Sequence, residues 1–160
     1  MDSVPSEVRS RIMSRIRGKD TGPERAVRSF LHKAGLRFRI HKKGLPGTPD
    51  IVLPRYRTVV FVHGCFWHQH PGCHHYGVPR SNTPYWQAKF ERIAERDARK
   101  ARELAALGWT VRVVWECEVS DEELQRLADS IKARPLTRPR SASAAGRPRR
   151  RRPSPSPGSP

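Results

Sequence analysis

Cysteine, acidic charge and long apolar runs are all scarce in this 160-residue sequence. The three cysteines form an odd number, which argues against a disulfide framework and favours a reducing cytoplasm. Apolar runs such as Val59–Val62 are far too short to cross a bilayer. The first residues lack the basic start and hydrophobic stretch of a signal peptide. We therefore expect a cytoplasmic protein that is neither membrane-bound nor secreted.

The scarcity of acids leaves a strong positive charge. The chain has 32 Lys and Arg against 15 Asp and Glu, which gives a formal net charge of +17. An acidic protein could balance such a charge, but a polyanion such as nucleic acid is the more common partner. The sequence therefore predicts a nucleic-acid-binding protein.

The end of the chain differs in composition from the rest. Residues 134–160 contain eight Arg, seven Pro, five Ser and no acid. Such a segment cannot bury enough apolar surface to offset its ordering entropy, so we predict a disordered basic tail. Residues 1–133 still hold 24 of the 32 basic side chains, and we predict that they form one folded domain. Binding of a polyanion therefore need not depend on the tail alone.

Hydrophobic periodicity and capping residues predict the order ααβββαβα in residues 1–133. Two capping boxes, Thr21 with Glu24 and Ser120 with Glu123, indicate helix starts, and Gly108 indicates the end of a long helix. Buried strands between helices are typical of an α/β fold, with one mixed sheet covered by helices on both faces. The predicted helices cover residues 6–17, 22–34, 83–107 and 121–133, and the predicted strands cover 38–40, 50–53, 58–62 and 110–115.

A loop rich in His, Cys, Gly and Pro occupies residues 63–83. Cys65, His70 and Cys73 lie in this loop, and Cys117 follows a buried strand. Three thiols and one imidazole are the ligand set of a structural rather than a catalytic zinc site. A long loop without secondary structure in a small domain also needs something to order it. The alternatives are that the cysteines are small buried hydrophobes, or that His74 or His75 supplies the nitrogen ligand.

Asp50 is the only carboxylate between residues 25 and 90. It opens a predicted strand, so its side chain should lie at an end of the sheet, where functional groups gather. A carboxylate against a basic background can hold the divalent cation that phosphodiester hydrolysis requires. The alternative is a turn aspartate that stabilises its own backbone.

Two histidines and two further acids complete the candidate set. His63 ends the next buried strand and His68 follows it, and a neutral imidazole can take a proton from water near pH 7. Each histidine could instead be structural, His63 at a strand end and His68 in the zinc loop. Glu24 is by default a capping residue. Asp97 lies on the apolar stripe of the long helix and is either a buried paired acid or a second active-site carboxylate.

Three segments of this chain resemble a known family. They are the sequences GLPGTPD at 44–50, VHGCFWH at 62–68 and VVWEC at 113–117. Together they resemble the very short patch repair (Vsr) DNA mismatch endonucleases, over about residues 9–130. The resemblance implies a restriction-endonuclease-like core, in which a mixed sheet lies between helices and Phe61–His63 replaces the usual glutamate-x-lysine element.

The resemblance also implies roles for the candidate residues. Asp50 and the backbone carbonyl of Val62 would bind catalytic Mg²⁺, although Val62 stands where threonine is usual. His68 would be the general base, while His63 and Glu24 would support the hydrated cation and the phosphate. Four residues match the structural Zn²⁺ site of the family: Cys65, His70, Cys73 and Cys117. Four others match residues that enter the duplex at the mismatch: Phe66, Trp67, Trp86 and Met13.

The function implied by the resemblance is nicking of double-stranded DNA 5′ of the thymine in a T·G mismatch, which arises when 5-methylcytosine deaminates. We expect a monomeric, nucleoid-associated bacterial enzyme with mismatch-repair proteins as further partners. One alternative is a non-catalytic zinc-containing DNA-binding module, which would not need Asp50, His63 and His68. Another is an RNA-binding protein that uses the tail.

Overall fold

The computed structural model describes residues 19–134, which form three α-helices and a four-stranded sheet. The predicted helix at 6–17, Met13, and the tail beyond Arg134 lie outside the described residues. The helices are α1 (Gly22–Lys33), α2 (Thr83–Ala106) and α3 (Asp121–Lys132). The strands are β1 (Arg39–Ile40), β2 (Ile51–Leu53), β3 (Thr58–His63) and β4 (Thr110–Trp115). Within residues 19–134 no helix is long and apolar enough to span a membrane.

The capping residues act where the sequence predicts. The Thr21 hydroxyl accepts the Glu24 N–H at 3.4 Å, and the Ser120 hydroxyl accepts the Glu123 N–H at 3.3 Å. Each bond satisfies an N–H group that has no partner inside its helix. The predicted starts of α1 and α3 are thereby confirmed.

The sheet is mixed, as predicted. Its order is β1-β2-β3-β4, with the first two pairs antiparallel and the β3–β4 pair parallel. A parallel pair needs a crossover connection, and α2 lies within the segment that joins β3 to β4. This topology brings the start of β2 and the ends of β3 and β4 to one edge of the sheet.

Helices cover both faces of the sheet. Successive side chains of a strand point to opposite faces, so the buried strands present apolar side chains to helices on each side. On one face Ile51 and Val60 pack with buried residues of α1 and α3, such as Leu31 and Leu124. On the other face Val52 and Val59 pack with Leu104 of α2. The prediction of a sheet between helices is confirmed.

Candidate active site and metal centre

The site lies at the sheet edge where β2 begins and β3 ends. The register pairs Ile51 with Val60, so Asp50, one residue before β2, lies beside the last residues of β3. The Val62 N–H donates to Asp50 Oδ2 at 2.8 Å. Strand pairing therefore holds the Asp50 carboxylate beside the backbone of Val62.

A cavity of about 340 Å³ opens at this edge. Four residues predicted from the sequence to be catalytic line it: Glu24, Asp50, His63 and His68. Three residues of α2 line it as well: Arg96, Asp97 and Lys100. Groups from α1, the sheet and α2, widely separated in sequence, therefore face one space.

The two histidines form a stacked pair. Their ring centroids are 3.7 Å apart and the rings are nearly parallel, at 7°. Burial, and after it the charge of His68, lowers the pKa of His63 to about 4. His63 is therefore neutral at physiological pH.

Asp97 orients the second histidine. Its Oδ2 lies 2.6 Å from His68 Nδ1, and both side chains are about four-fifths buried. When Nδ1–H donates to the carboxylate, Nε2 keeps its lone pair, and that nitrogen can take a proton. Asp97 is thus a paired acid, one of the two alternatives left by the sequence, and its partner is His68 of the cavity.

Asp50 suits a divalent cation. Burial raises the pKa of its carboxyl group, while the Val62 N–H opposes that effect and the Glu24 charge adds to it. Burial and the nearby like charge both disfavour the ionised carboxylate, and a bound cation would offset both effects. Mg²⁺ typically takes one or two carboxylates and fills its other positions with water and phosphate. The Asp50 carboxylate, which lines an open cavity, fits that preference.

Glu24 is held by more than the capping box. Its carboxylate accepts the Thr21 hydroxyl at 3.0 Å, the Asp20 N–H at 3.1 Å and Arg28 Nη2 at 2.7 Å. Arg28 also contacts Asp20 and, at 3.2 Å, His41 Nε2. Glu24 is buried, and this network fixes its carboxylate in the lining of the cavity.

A second cluster lies where the loop meets the end of β4. One ligand atom each of Cys65, His70, Cys73 and Cys117 lies within 4.8 Å of the others. Three sulfurs and one nitrogen gathered in this way fit a tetrahedral zinc site. Burial raises the pKa of the Cys65 thiol, and a bound cation would favour its thiolate form.

The geometry of the histidines bears on which nitrogen could bind. His70 Nδ1 lies 3.2 Å from Cys117 Sγ and 3.7 Å from Cys65 Sγ. Its Nε2 lies 3.6 Å from a Glu118 carboxylate oxygen. A carboxylate on the second nitrogen is typical of metal-binding histidines. His75 also approaches Cys65 and Cys73, and His74 approaches Cys73, but neither belongs to the set of four that includes Cys117.

Aromatic rings form the outer wall of the site. Phe66 makes edge-to-face contacts with Trp67, Trp86 and Phe90 at centroid distances of 5.2, 5.7 and 5.4 Å. Trp86 is buried, as its place on the inward stripe of α2 predicts, whereas Phe66 and Trp67 are only partly buried. The ammonium of Lys89 lies 5.0 Å from the centroids of both tryptophan rings.

The backbone at Phe66 and Trp67 is not extended. On an extended segment these adjacent side chains would point in opposite directions and could not both lie in one core, which would favour them as exposed wedges. Residues 65–69 instead form turns, with Gln69 in the left-handed region. The turn brings both rings to the same cluster, so extension of the chain gives no support to the wedge role.

Two cations of the cavity, Arg96 and Lys100, were not identified from the sequence. Lys100, like Asp97, occupies a sheet-facing position of α2 between Phe90 and Leu104, where the periodicity calls for apolar residues. A charged residue on the inward stripe of a helix is the signal that points to Lys100, whereas Arg96 is exposed and carries no such signal.

Comparison with known proteins gives consistent results. A family model described as "DNA mismatch endonuclease Vsr" matches residues 1–75. "Type II nicking enzyme V.XorIIP" of Xanthomonas oryzae pv. oryzae is 55% identical over 120 residues, which are 75% of this chain and 88% of the relative. "DNA mismatch endonuclease Vsr" of Escherichia coli (strain K12) is 44% identical over 115 residues, 72% of this chain and 73% of the relative.

Proposed function

Because this chain belongs to the Vsr family of DNA endonucleases, we propose that it nicks double-stranded DNA 5′ of the thymine in T·G mismatches. Mismatch specificity is supported by the family resemblance and by the names of the family model and of the relative from Escherichia coli, both of which are DNA mismatch endonucleases. The relative from Xanthomonas is named a nicking enzyme, which supports cleavage of one strand. The mixed sheet between helices is compatible with a restriction-endonuclease-like core.

The observation that carries the proposal is the shared cavity of Asp50, His63, His68 and Asp97. A DNA-binding module needs basic surface and shape, but it has no need of a half-buried carboxylate beside a histidine oriented by a second acid. This arrangement favours hydrolysis over the alternative of a non-catalytic zinc module.

In this proposal Asp50 and the backbone carbonyl of Val62 would hold Mg²⁺. When bound, the cation polarises the scissile phosphate and stabilises the negative charge that develops on it. His68 accepts a proton from the attacking water at Nε2, and Asp97 keeps Nδ1 as the protonated nitrogen. Glu24 and neutral His63 position water and phosphate at the rim of the cavity.

Zn²⁺ would be held by Cys65, His70, Cys73 and Cys117. Its role is structural, because four protein ligands leave no open position for substrate. This site would tie the loop that carries His68 and the aromatic residues to the end of β4. Both the base and the DNA-contacting rings would then depend on the zinc for their position.

The aromatic residues are proposed to read the mismatch. A mismatched step costs less to open than a paired one, so rings that enter the stack prefer it. Phe66, Trp67 and Trp86 lie together beside the cavity, and Met13 would enter from the opposite groove. The basic charge of the chain supplies affinity for the phosphates of any duplex.

Nicking of two duplexes that differ only at one base pair tests the proposal. T·G and T·A duplexes, each labelled on one strand, are incubated with the full chain with and without Mg²⁺. We expect a nick 5′ of the mismatched thymine that appears only with Mg²⁺ and only in the T·G duplex.

Asp50→Ala should bind the duplex but leave it intact, and exposed Asp129→Ala of α3 is the matched control. A parent protein that binds T·G duplex and never cuts it would favour the non-catalytic module. Equal cutting of T·A duplex would overturn the mismatch specificity.

A further inference from the structure

The inward face of α2 changes from apolar to charged where it crosses the cavity. Trp86, Phe90 and Leu104 of this face are buried, as the helical repeat predicts. Asp97 and Lys100 occupy the same face between them and are partly buried. Placing a lysine against a sheet desolvates its ammonium, which is unfavourable unless the charge has a partner. Asp97 is paired with His68. Lys100 must be examined for a partner of its own.

Lys100 has no close partner in the described part of the chain. Among residues 19–134 its ammonium has neither a hydrogen bond nor an ion pair, and the carboxylates of Asp97 and Glu103 act on it only at longer range. The neighbouring cations differ, since Arg96 pairs with Asp97 at 3.2 Å and Arg99 with Glu103 at 3.8 Å. Burial lowers the pKa of Lys100. Its charge is therefore partly desolvated and not neutralised by a close carboxylate.

The stem of Lys100 is held against the sheet. A side chain at Gly47 would place its Cβ 2.9 Å from Lys100 Cδ and 3.3 Å from Phe61 Cζ, so the stem of Lys100 packs closely against this glycine and would have to shift for any larger residue. Gly47 also has a φ of +78°, which other residues rarely adopt. Thr48, the next residue, has a φ of +48° and lines the same cavity. Unfavourable backbone of this kind tends to persist at functional sites.

Lys100 lines the same cavity as Asp50 and the two histidines. It is near enough for its charge to lower the pKa of His63. If this cavity cuts DNA, as proposed above, the anion that enters it is the strand itself. A lysine ammonium suits a phosphate oxygen as a compact point charge with three donors.

Resting on that proposed function, we propose that Lys100 binds a backbone phosphate of the nicked strand inside the cavity. Lys100→Met removes the charge but retains an unbranched stem of similar length. Arg99→Met is the matched control, because Arg99 lies on the same helix with its side chain 65% exposed, and it does not line the cavity. Lys100→Arg keeps the charge.

Lys100→Met should weaken duplex binding by about 10- to 100-fold, as expected for loss of a hydrogen bond to a charged group. The log–log salt slope should fall by about 0.9, the value for one phosphate contact. Arg99→Met should match the parent, and Lys100→Arg should recover most of the binding. The melting temperature of Lys100→Met should not fall, since the ammonium has no close partner in the described fold. A clear fall would assign the charge a structural role and overturn the proposal.

A scan with neutral phosphates locates the contact. Duplexes carry one methylphosphonate at a time, on either side of the expected nick, and equilibrium binding is measured for the parent and for Lys100→Met. At one position neutralisation should weaken the parent by about 10- to 100-fold and the variant hardly at all, because the same contact cannot be lost twice. Equal losses in both proteins at every position would overturn the proposal. Since the readout is binding, a parent that never nicks would refute the proposed function and leave this result interpretable.

Discussion

Replacing Asp97 tests how the cavity activates its base. The Asp97 carboxylate lies 2.6 Å from His68 Nδ1, and both side chains are largely shielded from water. Asp97→Asn keeps the shape of the side chain and removes its charge, whereas Asp97→Ala removes the contact. Both should slow nicking while leaving duplex binding nearly unchanged, because Asp97 acts through His68.

The expected size follows from that single contact. A hydrogen bond to a charged group contributes about 1.5–3 kcal/mol, which corresponds to a rate loss of about 10- to 100-fold. Removing the base itself, in His68→Ala, should cost about 10²- to 10⁴-fold. The Asp97 variants are therefore expected to be slow but faster than His68→Ala.

The double variant makes the reasoning refutable. If Asp97 works only by orienting His68, then Asp97→Asn combined with His68→Ala should nick no more slowly than His68→Ala alone. Single-turnover nicking of labelled T·G duplex under saturating enzyme measures each rate, with exposed Glu95→Gln of α2 as the control. If the two rate losses multiply in the double variant, Asp97 has a role independent of His68. That result would refute its assignment as a residue that acts only by orienting His68.

Three further predictions concern the zinc cluster, the aromatic wall and the tail. Metal analysis should return about one zinc per chain, and Cys117→Ala should lower the melting temperature markedly, because metal binding stabilises the folded state; a metal-free parent with unchanged melting would contradict this. Trp67→Ala should retain zinc yet lose most of its preference for T·G over T·A duplex, at about 1–3 kcal/mol of binding for a lost stacking ring; unchanged selectivity would make Trp67 a packing residue. Deleting residues 134–160 should weaken binding to both duplexes alike and flatten the salt dependence; a lost T·G preference would mean that the tail does more than add charge.

The sequence predicts most secondary structure because the signals involved are local. A threonine or serine hydroxyl three residues before an acid specifies a helix start through one hydrogen bond. The run of β-branched and aromatic residues at 58–62 predicts a buried strand. These signals need no knowledge of the rest of the chain, and α1, α3 and β3 begin where they indicate.

The assembly of the site depends on topology, which local signals do not contain. Asp50 meets the end of β3 only because β2 runs antiparallel to β3 in one particular register. His68 meets Asp97 only because α2 crosses that end of the sheet. Residue type alone identifies Asp50, His63 and His68 as candidates in the sequence. Hydrophobic periodicity leaves two roles open for Asp97 and does not identify Lys100. Charge on an inward helical stripe becomes informative once the cavity beneath it is known.

The aromatic wall shows why packing and recognition need not be alternatives at one residue. Phe66 and Trp67 pack with Trp86 and Phe90, yet both remain partly accessible to solvent. A ring held by such edge-to-face contacts loses little further freedom on entering a base step, so packing in the free protein lowers the entropic cost of insertion. The same contacts mean that removing a ring also removes packing energy. Both the selectivity and the melting temperature of Trp67→Ala must therefore be measured. A loss of selectivity in a variant that melts like the parent would assign Trp67 to recognition.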